Sequence, residues 1–295
     1  VPNLVAYYVI IFVVYWLYRS LLLSGLAVAA HFKIKASTSF TWIKDLQERF
    51  PEKWDSIQHI IVSPTYKEPL HILERTLAAL SQQSFPAKNL HVMLSFEERE
   101  GEEGQKKAAR LLREYSDHFG HLWTTFHPDI EGEVKGKSSN TAWGAKIAKK
   151  KLVDGEGFDI DLITSTSEDA DAKFHPHYFA YLTYECLSDS SPYNRVWQGA
   201  IMFYNNIWEV PAPIRVLSSS FSVMQMYILM RKDRLINFST YSTSLKHADS
   251  IDYWDTNVIP EDYRFFFKSY FLKKGKFEVH PIFLPIYCDA AQAKG

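Results

Sequence analysis

Hydrophobic and polar positions divide the chain into one long apolar stretch and a following series of strand-like and helix-like segments. The stretch covers Leu4 to Phe32, and at ~1.5 Å per helical residue it is long enough to cross a ~30 Å hydrocarbon layer. We therefore expect a transmembrane helix within residues 1–32, with a long buried core helix as the alternative. The charged or strongly polar residues within it are Arg19, Ser20, Ser24 and His31.

The flanks of this stretch predict its orientation. A cleaved signal peptide fits poorly, because no basic residue precedes the stretch. Lys33 and Lys35 follow it, so the positive-inside rule predicts that the rest of the chain lies on the cytosolic face of an inner or plasma membrane. Arg19 is then expected to face another helix, or the true span is shifted. The first residue is not Met and the chain stops abruptly at Gly295, which suggests a piece of a longer membrane protein.

A short connector is expected between the apolar stretch and the remaining chain, at residues 33–56. It contains an amphipathic run with Trp42, Ile43, Leu46 and Phe50. Such a run is typical of a segment that lies near the membrane surface, and equally of a plain linker helix.

From Ile57 onwards, strand and helix patterns alternate with short connections. This alternation predicts an α/β domain over residues 57–295, with a mostly parallel sheet covered by helices on both faces. Ligands of such sheets bind at the carboxyl ends of the strands. The predicted strands are 58–63, 90–96, 121–126, 160–166, 195–203, 235–241 and 277–284, and the predicted helices are 69–83, 104–117, 138–151, 176–188, 213–232 and 260–274.

Composition narrows the class of protein. Hydrophobic residues make up 46% of the chain and aromatic residues 15%, which is enough for one sizeable core. The formal net charge is −1 and no basic stripe carries aromatic residues, so nothing favours binding to nucleic acid. The two cysteines, Cys186 and Cys288, form no Cys-x-x-Cys pair and fit a reducing compartment; the sequence assigns them no role.

Two acidic residues, Asp169 and Asp171, directly follow the predicted strand 160–166. Carboxylates suit Mg²⁺ or Mn²⁺, and Mg²⁺ is usually held by one or two carboxylates together with substrate phosphates. The pair is therefore a candidate metal site for a diphosphate. A second Asp-x-Asp, at 159–161, precedes the strand instead. The alternative for Asp169 and Asp171 is a solvated turn that caps the helix beginning near Pro176.

Three further segments accompany the acidic pair in a fixed order. Pro64-Thr-Tyr-Lys-Glu68 follows the first strand, Gly136-Lys-Ser-Ser-Asn140 precedes a helix, and Pro260-Glu-Asp-Tyr263 opens another helix. With Asp169-Ala-Asp171, these segments resemble the pattern of glycosyltransferase family 2 on the GT-A fold, the group that contains cellulose synthase-like and hyaluronan synthase-like enzymes. The resemblance covers about residues 57 to 287 and depends on the order and spacing of the motifs.

The resemblance implies transfer of a sugar, with inversion, from a nucleotide-diphospho-sugar to a hydroxyl of a polysaccharide or lipid-linked glycan. A UDP-sugar is favoured as donor. Asp171 would ligate Mg²⁺ or Mn²⁺ between the α and β phosphates, and Asp169 would share the metal and approach the ribose or sugar. Lys137 would lie beside the donor at a helix N-terminus, where backbone N–H groups add to phosphate binding. Asp262 would be the general base for the acceptor hydroxyl.

The resemblance also places the nucleoside at the ends of the first two strands. Thr65, Tyr66 and Glu68 match the segment that binds base and ribose, with Lys67 in place of the usual Asn. Tyr66 then stacks on the nucleobase or simply fills core. Glu97 stands where many members have Asp-Asp-Gly, and its carboxylate would accept the base N–H.

Simpler explanations stay open for each motif and for the whole chain. An isolated lysine such as Lys137 is usually solvated, and Glu261 and Asp262 suit the first turn of a helix through its dipole, at ~0.3 to 1 kcal/mol. A non-catalytic membrane scaffold with the same fold is the first alternative. A nucleotidyltransferase is the second, although no early Gly-rich phosphate loop supports it. The chain ends before the Gln-x-x-Arg-Trp segment that polymer-forming members carry, so processivity is not predicted.

Overall fold

The computed structural model describes residues 2–291, which form an eight-stranded mixed sheet with helices on both faces and a long helix at the N-terminus. The strands are β1 (Gln58–Thr65), β2 (Leu90–Glu97), β3 (His121–His127), β4 (Ile163–Ser167), β5 (Lys173–Phe174), β6 (Arg195–Met202), β7 (Tyr241–Ser244) and β8 (Glu278–Tyr287). The helices are α1 (Pro2–Thr38), α2 (Trp42–Arg49), α3 (Leu70–Ser81), α4 (Glu102–Tyr115), α5 (Lys137–Lys149), α6 (Tyr178–Ser188), α7 (Ala212–Leu229), α8 (Leu245–Ser250) and α9 (Glu261–Leu272).

Helix α1 contains a span within Asn3–Thr38 of mean hydropathy 1.9, which is long and apolar enough to cross a membrane. The helix continues past the predicted end at Phe32. Its last turns pack against α7 and β8, and Ala30 is fully buried there. Small side chains at such a contact let two elements approach closely.

Helix α2 attaches the connector to the domain. The Trp42 ring stacks on the ring of Tyr181 in α6 at a centroid distance of 3.6 Å and an interplanar angle of 6°. Leu46 of the same helix is fully buried in the core. The amphipathic run predicted from the sequence therefore packs its apolar face on the domain.

The strand order β3-β2-β1-β4-β7-β6-β8-β5 creates a switch point between β1 and β4. Strands β1, β2, β3 and β4 are parallel neighbours, and β7 joins this half to the rest through antiparallel pairing. Beyond β1 the chain runs outwards to β2 and β3, and then returns through α5 to β4 on the other side of β1. Crevices at such a point, outside the carboxyl ends of the strands, are where ligands of open α/β sheets bind.

The hydrophobic pattern of the sequence explains how the sheet and the helices that cover it pack together. Ile60, Ile61 and Val62 of β1 are fully buried because helices cover both faces of the sheet. Leu73, Leu77 and Leu80 of α3 recur at helical spacing and form one buried stripe against the sheet. The predicted α/β architecture, with helices on both faces and an apolar N-terminal helix, is confirmed.

The strand predicted at 235–241 is wrong in position, because β7 covers only Tyr241–Ser244. The segment before it is a buried loop in which Leu235, Asn237 and Ser239 are all less than a tenth exposed. Apolar and polar residues alternate from Ile236 to Ser239, a pattern that is typical of a strand. Ser239 has φ +61°, in the left-handed region, which a strand cannot contain.

Candidate active site

A cavity of about 860 Å³ lies at the carboxyl ends of β1, β2 and β4. This size suits a nucleotide-sized ligand. Seven of the eight site residues predicted from the sequence line it, and Asp262 does not. These seven residues are Thr65, Tyr66, Glu68, Glu97, Lys137, Asp169 and Asp171.

Lys137, the first residue of α5, forms an ion pair with Asp169 in the wall of this cavity. The Lys137 Nζ atom lies 2.6 Å from Asp169 Oδ1 and 3.5 Å from Glu261 Oε1. Burial disfavours the charged lysine, but the charges of Asp169, Asp262 and Glu261 outweigh it and raise the pKa of Lys137. Burial would likewise raise the pKa of Asp169, yet the Lys137 charge and hydrogen bonds hold that pKa below its ordinary value. Both groups therefore stay ionised at neutral pH.

Ser239 connects three of these groups through its own polar atoms. Its hydroxyl donates to Asp169 Oδ2, its backbone N–H donates to Asp262 Oδ2 at 2.7 Å, and its carbonyl accepts from Lys137 Nζ at 2.5 Å. Ser239 makes these three contacts with its backbone in the left-handed region, at φ +61°. Ser239 thus links Asp169, the first residue of the acidic pair, to Asp262, the predicted base.

Asp171 is held by the C-terminal end of the sheet. Its Oδ2 atom accepts a hydrogen bond from the backbone N–H of Asp289 at 2.8 Å. Arg75 of α3 donates to the Asp171 carbonyl at 3.3 Å and to Asp289 Oδ1 at 2.7 Å. Burial, and then the negative charge of Asp169, raise the pKa of Asp171 to about 6. A cation at this position would relieve that repulsion and favour ionisation.

The donor atoms around Asp171 fit a divalent cation. One ligand atom each from Asp169, Asp171 and Cys288 lie within 4.8 Å of one another. Asp171 lines the cavity, and its Oδ2 atom is the one that accepts from the Asp289 N–H. Asp169 Oδ1 is already paired with Lys137, and a cation would share that carboxylate with the lysine.

Asp262 lies behind Lys137, at the first turn of α9. Asn237 donates to the Asp262 carbonyl at 2.9 Å, while the buried Oδ1 atom has no partner within the described part of the chain. Burial raises the pKa of Asp262 to about 7, with the charge of Lys137 opposing this shift and that of Glu261 adding to it. A carboxylate with this pKa can accept a proton near neutral pH.

The opposite end of the cavity is lined by Thr65, Tyr66, Glu97 and Arg99. Glu97 Oε2 accepts from Arg99 Nε at 2.5 Å, and the Arg99 guanidinium lies 3.8 Å from the centroid of the Tyr66 ring. Arg99 thus already covers one face of Tyr66. The buried Thr65 hydroxyl has no hydrogen-bond partner among residues 2–291. Lys67 has φ +57°, in the left-handed region where Asn is enriched.

Five residues described in this site were not predicted: Arg75, Arg99, Ser239, Cys288 and Asp289. Each acts through a contact that spans many residues, such as the Arg75–Asp289 ion pair. Arg75 carries a weak signal, because it is a charged residue within an otherwise leucine-rich amphipathic helix. The sequence signal at Ser239 was misleading, because apolar and polar residues alternate in its loop as they do in a strand.

No model of a protein family and no curated protein sequence matches this chain. Solved structures do resemble it. One is the mannosyltransferase PcManGT from Pyrobaculum calidifontis in complex with GDP-Man and Mn²⁺, with a TM-score of 0.53, 13% identity, and coverage of 92% of this chain and 70% of that one. Another is S. aureus TarS 1–349 in complex with UDP-GlcNAc, with a TM-score of 0.52, 16% identity, and coverage of 81% of this chain and 60% of that one. The TarS fragment in complex with UDP aligns with a TM-score of 0.51 at 14% identity, over 80% of this chain and 61% of that one.

The present chain thus spans about 60% of the TarS fragment's length. At 13% and 16% identity, these likenesses establish a shared architecture. The chain therefore shares its fold with the mannosyltransferase solved with GDP-Man and with the TarS fragment solved with UDP-GlcNAc.

Proposed function

We propose that this protein is a metal-dependent, inverting glycosyltransferase of the family 2 type that uses a nucleotide-diphospho-sugar donor. The observation that carries the proposal is the position of Asp169, Asp171 and Lys137 in the wall of one cavity, at the switch point of the sheet. The fold shared with proteins crystallised with GDP-Man and UDP-GlcNAc supports it.

Donor binding divides between the two ends of the cavity. At the nucleoside end, the Glu97 carboxylate accepts a base N–H, while Arg99 and Tyr66 form a wall beside the base. At the phosphate end, Lys137 and the N-terminus of α5 face the diphosphate. Asp171 and Asp169 would hold a divalent cation, which when bound would supply Lewis-acid stabilisation of the charge on the departing diphosphate.

The acceptor side depends on Asp262. Its raised pKa, near 7, suits a base that takes the proton of the attacking hydroxyl. The Ser239 N–H fixes Oδ2 and leaves Oδ1 without a partner among the described residues. Oδ1 is buried and Asp262 does not line the cavity, so proton transfer to this atom would require the site to open towards Asp262. Attack from the side of the anomeric carbon opposite the diphosphate gives inversion.

The membrane assignment follows from α1. The helix is apolar and packs on the domain through α7 and β8, so a membrane-inserted α1 would hold the cavity close to the bilayer. Lys33 and Lys35 follow its most apolar part, which supports a cytosolic domain. Nucleotide sugars, and a lipid-linked or polymeric acceptor at the membrane, are then both within reach.

A donor panel tests the proposal. The full chain in detergent or a lipid disc is incubated with UDP- and GDP-sugars and Mn²⁺ or Mg²⁺, and release of nucleoside diphosphate is measured with the fate of the sugar. We expect cation-dependent release of nucleoside diphosphate with at least one donor. Formation of nucleotide-sugar and pyrophosphate would instead identify a nucleotidyltransferase, and nucleotide binding without turnover by any donor would favour a scaffold.

A further inference from the structure

The third donor atom beside the acidic pair is the sulfur of Cys288, the residue after β8. The backbone around this sulfur is fixed on both sides: the Cys288 N–H donates to the Met202 carbonyl at 2.8 Å, and its carbonyl accepts from the Asn205 N–H at 3.2 Å. The next residue, Asp289, donates its N–H to Asp171 Oδ2. The end of the strand therefore places the sulfur beside the acidic pair by direct hydrogen bonding.

The surroundings of this thiol differ from those of the other cysteine. Cys288 is 2% exposed, and its thiol forms no hydrogen bond with any residue of the described range 2–291. Its sulfur lies within 4.8 Å of oxygens of Asp169 and Asp171. Cys186 is also buried, but it lies on α6 and belongs to no such group of donors among the described residues. A buried, unpartnered sulfur next to two carboxylates is what a mixed oxygen and sulfur cation site contains.

We propose that Cys288 is the third protein ligand of the cation site, and that the site consequently binds Mn²⁺ and softer cations such as Zn²⁺ and Cd²⁺ in preference to Mg²⁺. The proposal rests on the proposed function, because the same cation would bind the donor diphosphate. On binding, a metal–sulfur bond forms as the S–H bond breaks, and the proton passes to solvent. The remaining coordination positions are left for phosphate oxygens and water.

Cation preference follows from the chemistry of the three donors. Two carboxylates alone favour hard cations such as Mg²⁺, whereas a thiolate adds affinity for softer ones. Mg²⁺ gains little from sulfur, so its binding depends on Asp171 and Asp169 only. Replacing the sulfur by oxygen should therefore weaken binding of soft cations selectively.

Cadmium titration of the full chain in detergent tests this directly. The ultraviolet sulfur-to-cadmium charge-transfer band and the heat of binding are recorded for the wild type, Cys288→Ser and the matched control Cys186→Ser. We expect the band in the wild type and in Cys186→Ser, and its absence in Cys288→Ser. Cd²⁺ affinity should fall at least ~10-fold in Cys288→Ser, while Mg²⁺ affinity changes less than about twofold.

Asp171→Asn provides a second variant that retains the sulfur, and it covers the case in which Cys288→Ser does not fold. It should weaken Cd²⁺ binding, because only the sulfur and the Asp169 carboxylate, which is shared with Lys137, then remain to hold the ion. Absence of the band in the wild type, or its persistence in Cys288→Ser, would overturn the proposal. If the cadmium result goes against Cys288 but UDP or GDP still binds in an Mn²⁺-dependent way, the proposed function stands without Cys288. If the wild type binds neither the cation nor the nucleotide, both proposals are overturned.

Discussion

The Nζ atom of Lys137 lies 2.6 Å from Oδ1 of Asp169, so the ammonium group and the first carboxylate of the acidic pair neutralise each other in the cavity wall. Lys137 is also within 3.5 Å of Glu261, next to the proposed base. One positive charge therefore joins two motifs that are more than ninety residues apart in the chain, Asp169-Ala-Asp171 and Glu261-Asp262. A cation that enters the site meets a carboxylate that is already ionised.

The first prediction concerns stability. Lys137→Met should lower the free energy of unfolding by about 1 to 3 kcal/mol, because it leaves partly buried carboxylates without their counter-charge. Chemical denaturation at neutral pH measures this. The matched control is Lys146→Met on the same helix: Lys146 pairs with Asp252, whose side chain is 83% exposed, so a change within about 0.5 kcal/mol is expected. Equal losses of unfolding free energy in the two variants would mean that the Lys137 ion pair stabilises the protein no more than the exposed Lys146 pair.

The second prediction concerns pH. Asp262 must be unprotonated to accept a proton, and its pKa is raised to about 7. The kcat/KM for transfer should therefore fall as the pH drops below about 7 and level off above it. Asp262→Asn should lower kcat at least ~10²-fold while donor affinity is retained.

Asp252→Asn is the control for this substitution. Asp252 is exposed and has φ +55°, which Asn adopts readily, so neither folding nor transfer should change. If Asp262→Asn weakens donor binding as much as it slows transfer, Asp262 belongs to the donor site and is not the base.

The third prediction separates the backbone of Ser239 from its hydroxyl. Ser239→Gly and Ser239→Ala both remove the hydroxyl that donates to Asp169, but Gly adopts φ +61° without the steric cost that Ala meets. The Ala variant should be less stable than the Gly variant by about 1 kcal/mol in chemical denaturation. A Gly variant as unstable as Ala, or less stable, would show that the left-handed backbone is not what constrains this loop.

The fourth prediction concerns the nucleoside. Glu97→Gln should weaken binding of the nucleoside diphosphate by about 10-fold, since a hydrogen bond to a charged group is typically worth about 1.5 to 3 kcal/mol. Binding of inorganic diphosphate with the same cation should not change. Glu98→Gln is the control, because Glu98 is exposed and lies outside the cavity wall. Parallel losses for both ligands would place Glu97 at the phosphate end or assign it a purely structural role.

The sequence predicted the parts of the molecule that local patterns encode. The fully buried run in β1 and the leucine stripe of α3 follow directly from hydrophobic periodicity, and loops after parallel strands necessarily meet at one edge. That geometry is why Thr65, Glu97 and Asp169 could be expected near one another before any coordinates.

The remaining features depend on tertiary contacts that no local pattern contains. Ser239 contacts Asp169 across 70 residues, and Asp289 contacts Asp171 across 118 residues. The buried loop around Ser239 shows the alternation of a strand, so the period-two rule placed β7 too early. Cys288 lacked any sequence signal, because its proposed role depends on the end of β8 lying beside the acidic pair.

The central claim is that Asp171 binds a cation which in turn binds the donor diphosphate. Calorimetric titration of UDP and GDP into the full chain, with and without Mn²⁺, tests it for the wild type and Asp171→Asn. We predict nucleotide binding that requires Mn²⁺ in the wild type and that is abolished in Asp171→Asn. Binding of the same strength in Asp171→Asn, or in the wild type without any divalent cation, would contradict it.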